Sequence, residues 1–503
     1  MKYLSEIATT VACIGGFLFG YDTGVISGVL TMPTFPEYFG IAGNAAEIAS
    51  IKGDVVSVLQ AGCCAGALLI NFVADPLGRK WSVVIASIIF LFGSALQVGA
   101  PNIESMMAGR FFGGFGIGAC SMLVPMYIAE IAPRKLRGRL GTLWQFLIVL
   151  GIMVSYWIDY GCLKHIPASD AQWRVPLGIQ LIPGLVLALG MPFLPESLRW
   201  LAVKDRNDDV KRELCRLRDL PEDHPEIIEE YEEILAAARF DKESRAGTYK
   251  ELFERSNFHR LLIGICLQIF QQWTGSNAVN YYAPEIFKSI GLDSGETDIL
   301  ATGVYGAVKV AFVFISFLMI DSKLGRRRTL MIGSLIMMIA FYVLGGMILA
   351  LQKENGGTLS SAAGAVVGAK GYVAIIMVYL FAIGYEFSWG PIVWIVCSEI
   401  YPTRIRAMAL SLTTAFNWGM NATIAKVTPL MLTKITYGTY FFFGSCAVLM
   451  GVFAFVFLPE TRGRSLEDID ELFNRGVVLA FKDDYKVDKE QIKRDEEVGI
   501  YKD

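Results

Sequence analysis

The sequence predicts an all-α membrane protein: twelve transmembrane helices in two six-helix bundles of related design, joined by a cytoplasmic helical linker. Three observations carry this. Of the 503 residues, 54% are apolar or aromatic and only 18% are charged, with a mean hydropathy of +0.46, whereas soluble domains carry about 25% charged residues. Apolar runs long enough to cross a bilayer, about 20 residues each, follow one another along the chain. Loop motifs after the second, fourth and sixth runs recur after the eighth, tenth and twelfth.

The first run, 8–30, carries Asp22, is rich in Gly and lacks a small-residue cleavage site at its end, so it reads as a span rather than a removable signal. Runs at 53–74, 82–99, 106–128, 140–160 and 173–194 complete the first six. In the fourth, Gly113, Gly114, Gly116 and Gly118 look superficially like a dinucleotide fingerprint. That fingerprint needs a preceding strand and a βα turn, and in a membrane helix small residues serve close helix packing instead. Residues 203–257 are charged and helix-prone, as in Glu226 to Glu233, and read as a cytoplasmic linker with short amphipathic helices. The second six runs lie at 258–280, 298–320, 328–350, 372–397, 405–427 and 438–458. A charged tail follows, with one helix predicted over 465–473 behind a Ser465 cap. The expected units are therefore 1–200, 201–257, 258–460 and 461–503.

The repeat is visible at three places in register. Asp75-Pro76-Leu77-Gly78-Arg79-Lys80 corresponds to Asp321-Ser322-Lys323-Leu324-Gly325-Arg326-Arg327, with one extra residue in the second copy. Glu130, Pro133 and Arg137 correspond to Glu399, Pro402 and Arg406, and Pro195-Glu196-Ser197 to Pro459-Glu460-Thr461. Halves related by an axis along the membrane normal are a transporter architecture, with the cargo held between them near the midplane. Lys and Arg concentrate in the loops that carry Arg79, Lys80, Arg134, Lys135, Arg326 and Arg404, which sets both termini inside the cell. A net charge of −3 without a basic stretch argues against nucleic acid as a partner. Seven of the nine Cys lie in apolar runs and the three His share no ligand spacing, so neither a metal nor another cofactor is expected. No nucleophile or acid–base grouping points to an enzyme.

Five stretches are specific enough to name a family: Gly16-Phe17-Leu18-Phe19-Gly20-Tyr21-Asp22-Thr23-Gly24, the loop from Asp75 to Lys80, Pro195 to Trp200, Gln271-Gln272-Trp273-Thr274-Gly275-Ser276-Asn277, and Pro459 to Gly463. On these the chain resembles the sugar porter family of the major facilitator superfamily from Gly15 to Leu472, with a fungal flavour. The resemblance implies alternating access around a central site. It implies sugar-binding roles for Gln145, Gln271, Gln272, Asn277 and Asn417, ring packing for Trp394, and an acid near the site at Glu386. Amides suit hydroxyls because each offers donors and acceptors. Interhelical bonding without cargo contact is the alternative fate of such residues.

Ionisable residues inside spans are costly and call for a partner. In proton-coupled relatives the acid matching Asp22 is the protonation site and the arginine matching Arg110 modulates it; a permanent structural ion pair in a facilitator is the alternative. Arg79, Glu130, Arg137, Glu196, Arg326, Glu399, Arg406 and Glu460 match a family network that locks the cytoplasmic ends, although the same positive charges also serve topology.

Lys309 departs from the family, standing where glucose carriers tend to have an asparagine. Its partner is Glu386, the sugar hydroxyls, or a carboxylate on the cargo. The expected function is plasma-membrane uptake of a hexose or pentose by proton symport, by a protein functional as a monomer. A carrier of quinate or a sugar acid such as galacturonate is the alternative, and a non-transporting sugar sensor the second. Asn421-Ala422-Thr423 is a formal glycosylation triplet within a span and is expected to stay unmodified.

Overall fold

The computed structural model describes residues 4–132, 137–244, 249–290, 297–319, 324–354, 368–402, 405–461 and 473. Among them every regular element is helical. Ten helices among the described residues are long and apolar enough to cross a membrane: Leu4–Val29, Ala45–Leu69, Arg79–Val98, Ile103–Ile131, Leu143–His165, Ala171–Phe193, Asp298–Ser316, Arg326–Glu354, Ala369–Glu399 and Gly438–Phe457. These are spans one to six, eight to ten and twelve.

The other two are helices of a different make. The run expected over 258–280 is not one helix: Gly275, at a φ of +84°, divides the seventh span into Arg255–Trp273 and Ser276–Ser289. The eleventh is a continuous helix, Arg406–Lys434, whose apolar face is interrupted by Asn417, Asn421 and Lys426. The tenth also breaks, between Phe387 and Ile392, at Trp389-Gly390-Pro391. Such breaks are tolerated in a bilayer only where neighbours satisfy the freed backbone groups. Here the carbonyls of Trp389 and Gly390 accept from Gln271 Nε2 at 2.9 and 3.0 Å.

The packing repeats like the sequence does. In the first half the first span lies on the fifth, the third on the fourth and the second on the fourth; in the second half the seventh lies on the eleventh, the ninth on the tenth and the eighth on the tenth. The halves meet where the second span packs on the eleventh, the fifth on the eighth, and the first on Ser276–Ser289. Large apolar side chains such as Phe92, Ile182, Leu189, Leu335 and Leu449 lie on the outside, as a lipid-facing surface requires. The fourth-span glycines are among the places where the backbones come close. A Cβ on Gly114 would stand 2.0 Å from the Leu59 carbonyl oxygen, and one on Gly118 2.0 Å from that of Cys63. Linker helices Asn207–Arg218 and Pro225–Ser244 bury Val210, Leu214 and Ile227. Arg218 ties them to the first half, donating to Glu230 and to the Ile131 carbonyl at 3.1 Å. Of the tail helix expected over 465–473, all but Phe473 lies outside the described residues, as do Arg134, Lys135, Asp321, Lys323 and Arg404.

One turn is built twice. Gly78, at φ +90°, precedes the third span, and the Glu196 carboxylate accepts from the backbone N–H of Arg79 and Lys80 at 3.0 and 3.1 Å. Gly325, at φ +79°, precedes the ninth, and Glu460 accepts from the N–H of Arg326 and Arg327 at 2.8 and 3.1 Å. Each carboxylate thus seats on the positive end of a helix dipole. A Cβ on Gly78 or Gly325 would stand 2.5 or 2.4 Å from the glutamate oxygen. Gly78→Ala and Gly325→Ala should each destabilise the protein by about 1–3 kcal/mol, additively because the turns are separate, as read from thermal unfolding of the purified variants.

Candidate functional site

The broken seventh span and the polar eleventh supply most of an amide network at the interface of the halves. Gln272 Nε2 donates to Asn417 Oδ1 at 2.9 Å, and Asn277 Nδ2 donates to Gln272 Oε1 at 2.7 Å. Asn417 Nδ2 donates in turn to Gln268 Oε1 at 2.7 Å and Gln271 Oε1 at 2.8 Å. The φ of Gly275 is what turns Asn277 back toward Gln272, five residues before it. All the amides except Asn277 are buried.

The chain of bonds continues to the ion pair. Asn280 Nδ2 donates to Asn277 Oδ1 at 3.3 Å, while its own Oδ1 accepts from Tyr305 Oη at 3.1 Å and Lys309 Nζ at 2.9 Å. Lys309 Nζ stands 3.1 Å from Glu386 Oε1, with side-chain exposures of 2% and 1%. Of the three partners open to Lys309 on sequence, Glu386 is the one it meets here, with Asn280 beside it. The backbone carbonyl of Asn280 accepts from Tyr156 of the fifth span at 2.8 Å, so this cluster also touches the other half.

Gln145 and Trp394 are half-buried and make no hydrogen bond with other described residues. Trp389, the first tryptophan of the Trp389–Trp394 pair, is fully buried and donates to the Leu330 carbonyl and Ser334 Oγ, which makes it a packing residue of the broken span. Sequence reasoning missed Gln268, Asn280 and Tyr305. Gln268 and Asn280 are amides three or four residues from residues already singled out, on the same helical faces, and that spacing could have found them.

A second buried pair stands in the first half. Arg110 Nη1 donates to Asp22 Oδ1 at 2.8 Å and its Nε to the Val55 carbonyl at 3.2 Å, with both side chains at 0% exposure. Asp22 Oδ2 and Arg110 Nη2 have no hydrogen-bond partner, so the pair holds one well-formed bond and spare capacity on each side.

At the basic end of the bundle, Arg79 Nε donates to Glu130 Oε2 at 3.2 Å, and Ser197 Oγ also donates to that carboxylate. Its counterpart in the second half is Arg326 Nη2 to Glu399 Oε1 at 3.3 Å, with Thr461 Oγ1 to Glu399 Oε2 at 2.6 Å. Burial pushes the Glu196 carboxyl above the ordinary carboxylate range, against the backbone N–H groups of Ser197, Lys80 and Arg79 that pull it back. Arg406 donates to the Tyr401 carbonyl, and the Arg137 side chain lies outside the described residues.

The opposite end is closed across the halves. Gln60 of the second span, Tyr281 of the seventh and Asn421 of the eleventh form a ring of bonds at 2.8, 3.1 and 3.4 Å. Beyond it, Lys52 pairs with Glu285 and Lys426 with Asp54, each at 2.5 Å.

Removing one partner of a buried pair strands the other charge. Arg110→Leu alone should therefore destabilise the protein by about 3–5 kcal/mol, and the double variant Asp22→Asn/Arg110→Leu should recover most of that loss in thermal unfolding.

Comparison with known proteins agrees with this architecture. The family described as "Sugar (and other) transporter" matches residues 8–473. The "Probable quinate permease" of Neosartorya fischeri is 34% identical over 484 residues, covering 93% of this chain and 86% of the relative. The quinate permease of Emericella nidulans is 32% identical over 483 residues, covering 94% and 89%. Among solved structures, the proton:xylose symporter XylE bound to 6-bromo-6-deoxy-D-glucose superposes with a TM-score of 0.77 at 28% identity, covering 93% of this chain and 99% of that one. A sugar (and other) transporter profile along nearly its whole length, on a duplicated six-helix fold, makes this chain a multi-pass membrane transporter of the sugar porter family of the major facilitator superfamily, and not an enzyme.

Proposed function

We propose that this protein takes up a neutral monosaccharide, a hexose or pentose, by proton symport through alternating access at the plasma membrane. The observation that carries the cargo reading is the Lys309–Glu386 pair: at 3.1 Å and nearly without exposure, it leaves Lys309 already neutralised, with no spare positive charge there for an anionic cargo. A neutral ring bearing hydroxyls then competes for the amides of Gln271, Gln272, Asn277 and Asn417, with Gln145 facing them from the fifth span and Trp394 covering the apolar side of the ring. Because those amides bond one another, a ring that fails to replace their bonds leaves buried donors unpaired, which is the basis of selectivity.

In the same reading Asp22 is the proton site. Protonation removes its charge, frees Arg110 and lets the halves rock; the spare Oδ2 is where the proton sits. Similarity to a structure described as a proton:xylose symporter supports the coupling. Arg79, Glu130, Arg137 and Glu196, with Arg326, Glu399, Arg406 and Glu460, form the cytoplasmic lock of the outward-facing state, and the basic loops that hold them support an orientation with both termini inside. Each half is a rigid unit, 1–200 and 258–460, and one chain suffices for a complete cycle.

A second cargo reading rests on a specific observation. Relatives 32–34% identical along nearly the whole chain are described as quinate permeases, and quinate is a polyhydroxylated ring with a carboxylate that suits the ammonium group of Lys309.

Purified protein in liposomes with an imposed inward proton gradient separates these readings. Accumulation of labelled glucose or xylose that collapses with a protonophore supports the first; accumulation of quinate without either sugar replaces it with the second. Asp22→Asn should abolish accumulation and retain exchange of labelled for unlabelled cargo. Asn417→Ala strands its amide partners, a loss of about 1–3 kcal/mol, and should raise the cargo KM by roughly tenfold or more with the fold intact.

A further inference from the structure

We infer that Glu386 is a second proton-binding carboxyl, one that takes a proton when the carboxylate of an acidic ring cargo displaces it from Lys309. This rests on the acidic-cargo reading and extends it to the number of protons moved.

The geometry sets up a competition. Lys309 Nζ has three N–H donors; one is held by Asn280 Oδ1 at 2.9 Å, and Glu386 Oε1 lies 3.1 Å away. Glu386 Oε2 has no hydrogen-bond partner at all, so Lys309 is the whole of what stabilises that carboxylate as an anion. Lys309 and Tyr305 approach from the eighth span, and Tyr385 lies beside it on its own helix. The seventh span contributes the uncharged Asn280, and the ninth brings Ile336 and Met337 beside Gly384. The remaining titratable group near the cluster is the Tyr156 phenol of the fifth span. No second cation faces Glu386 among the described residues.

One ammonium cannot serve two buried carboxylates. A cargo carboxylate bonded to Lys309 leaves Glu386 as an unpaired anion in a low-dielectric interior, which is prohibitive unless the group neutralises. The balance is simple. The cargo carboxylate takes the Lys309 N–H donors, a proton from water joins Glu386, and a neutral carboxylic acid replaces the lost anion. On release the carboxyl returns its proton to water and Lys309 closes on Glu386 again. A neutral sugar leaves the pair intact and needs no such proton. A neutral cargo with one proton on Asp22, and a singly charged acid with one on Asp22 and one on Glu386, then move the same net charge per cycle.

Titration calorimetry of the purified protein in buffers of different ionisation enthalpy counts the protons taken up on binding. With quinate as the probe, the wild type should take up about one proton beyond any taken up on binding glucose; equal counts overturn the inference, and so does absence of quinate binding to the wild type. A measurement on the wild type alone guards against a variant that fails to fold. Over the pH range in which quinate binding takes up that proton, quinate affinity should fall about tenfold more per pH unit than glucose affinity, and parallel pH profiles for the two ligands, or a flat profile for quinate throughout, overturn it. Failure of proton-driven uptake in liposomes would instead remove the role of Asp22, which contributes equally for both cargoes and cancels in this comparison.

Discussion

A charge buried inside a membrane protein is costly unless a partner neutralises it where it stands, because lipid cannot solvate it. Among the described residues, two of the cations this chain buries are neutralised by a carboxylate within their own half: Arg110 on Asp22 in the first, Lys309 on Glu386 in the second, while a third, Arg260, donates to the Ile400 carbonyl. Everything else at the interface is arranged around those pairs. The amides of the seventh and eleventh spans bond one another and reach Lys309 through Asn280; the phenols of Tyr156 and Tyr305 bond that same asparagine. The protein thus holds its working charges in two places that a cargo or a proton can unbalance, one in each half.

A saturated network is what makes binding selective rather than merely possible. Gln271, Gln272, Asn277 and Asn417 satisfy one another and the backbone freed at Trp389 and Gly390. A cargo that enters must return as many bonds as it takes, so the shape of its hydroxyl pattern is weighed against bonds already made. The breaks in the seventh and tenth spans serve this chemistry directly. They aim side-chain amides and open carbonyls into the same space, and each supplies the partner that makes the other's irregular backbone tolerable.

The duplicated end turns show how the halves are kept rigid while the interface changes. Glycines with positive φ at 78 and 325 let Glu196 and Glu460 cap the third and ninth spans, and arginines one residue later reach Glu130 and Glu399. Ends braced inside each half are free to part from one another. At the opposite end the Gln60–Tyr281–Asn421 ring and two ion pairs join the halves, so the described conformation is closed there.

The sequence by itself determined the architecture. Hydropathy located the apolar spans and the charged linker, because a bilayer favours long apolar helices, although the described seventh and eleventh are broken or too polar to stand on hydropathy alone; paired loop motifs disclosed the duplication, because each half needs the same turn. Family resemblance singled out Gln271, Gln272, Asn277 and Asn417, which the fold then brings into bonding distance. It could not see that the seventh span is two helices, since one glycine at positive φ changes direction without changing hydropathy. Nor could it choose among the partners of Lys309: sequence distance between 309 and 386 says nothing about which atoms meet. Gln268, Asn280 and Tyr305 join the network only because spans seven, eight and eleven converge. Hydrophobic pattern is a property of each segment taken alone, whereas pairing of buried charge is a property of segments brought together, and only the tertiary structure decides it.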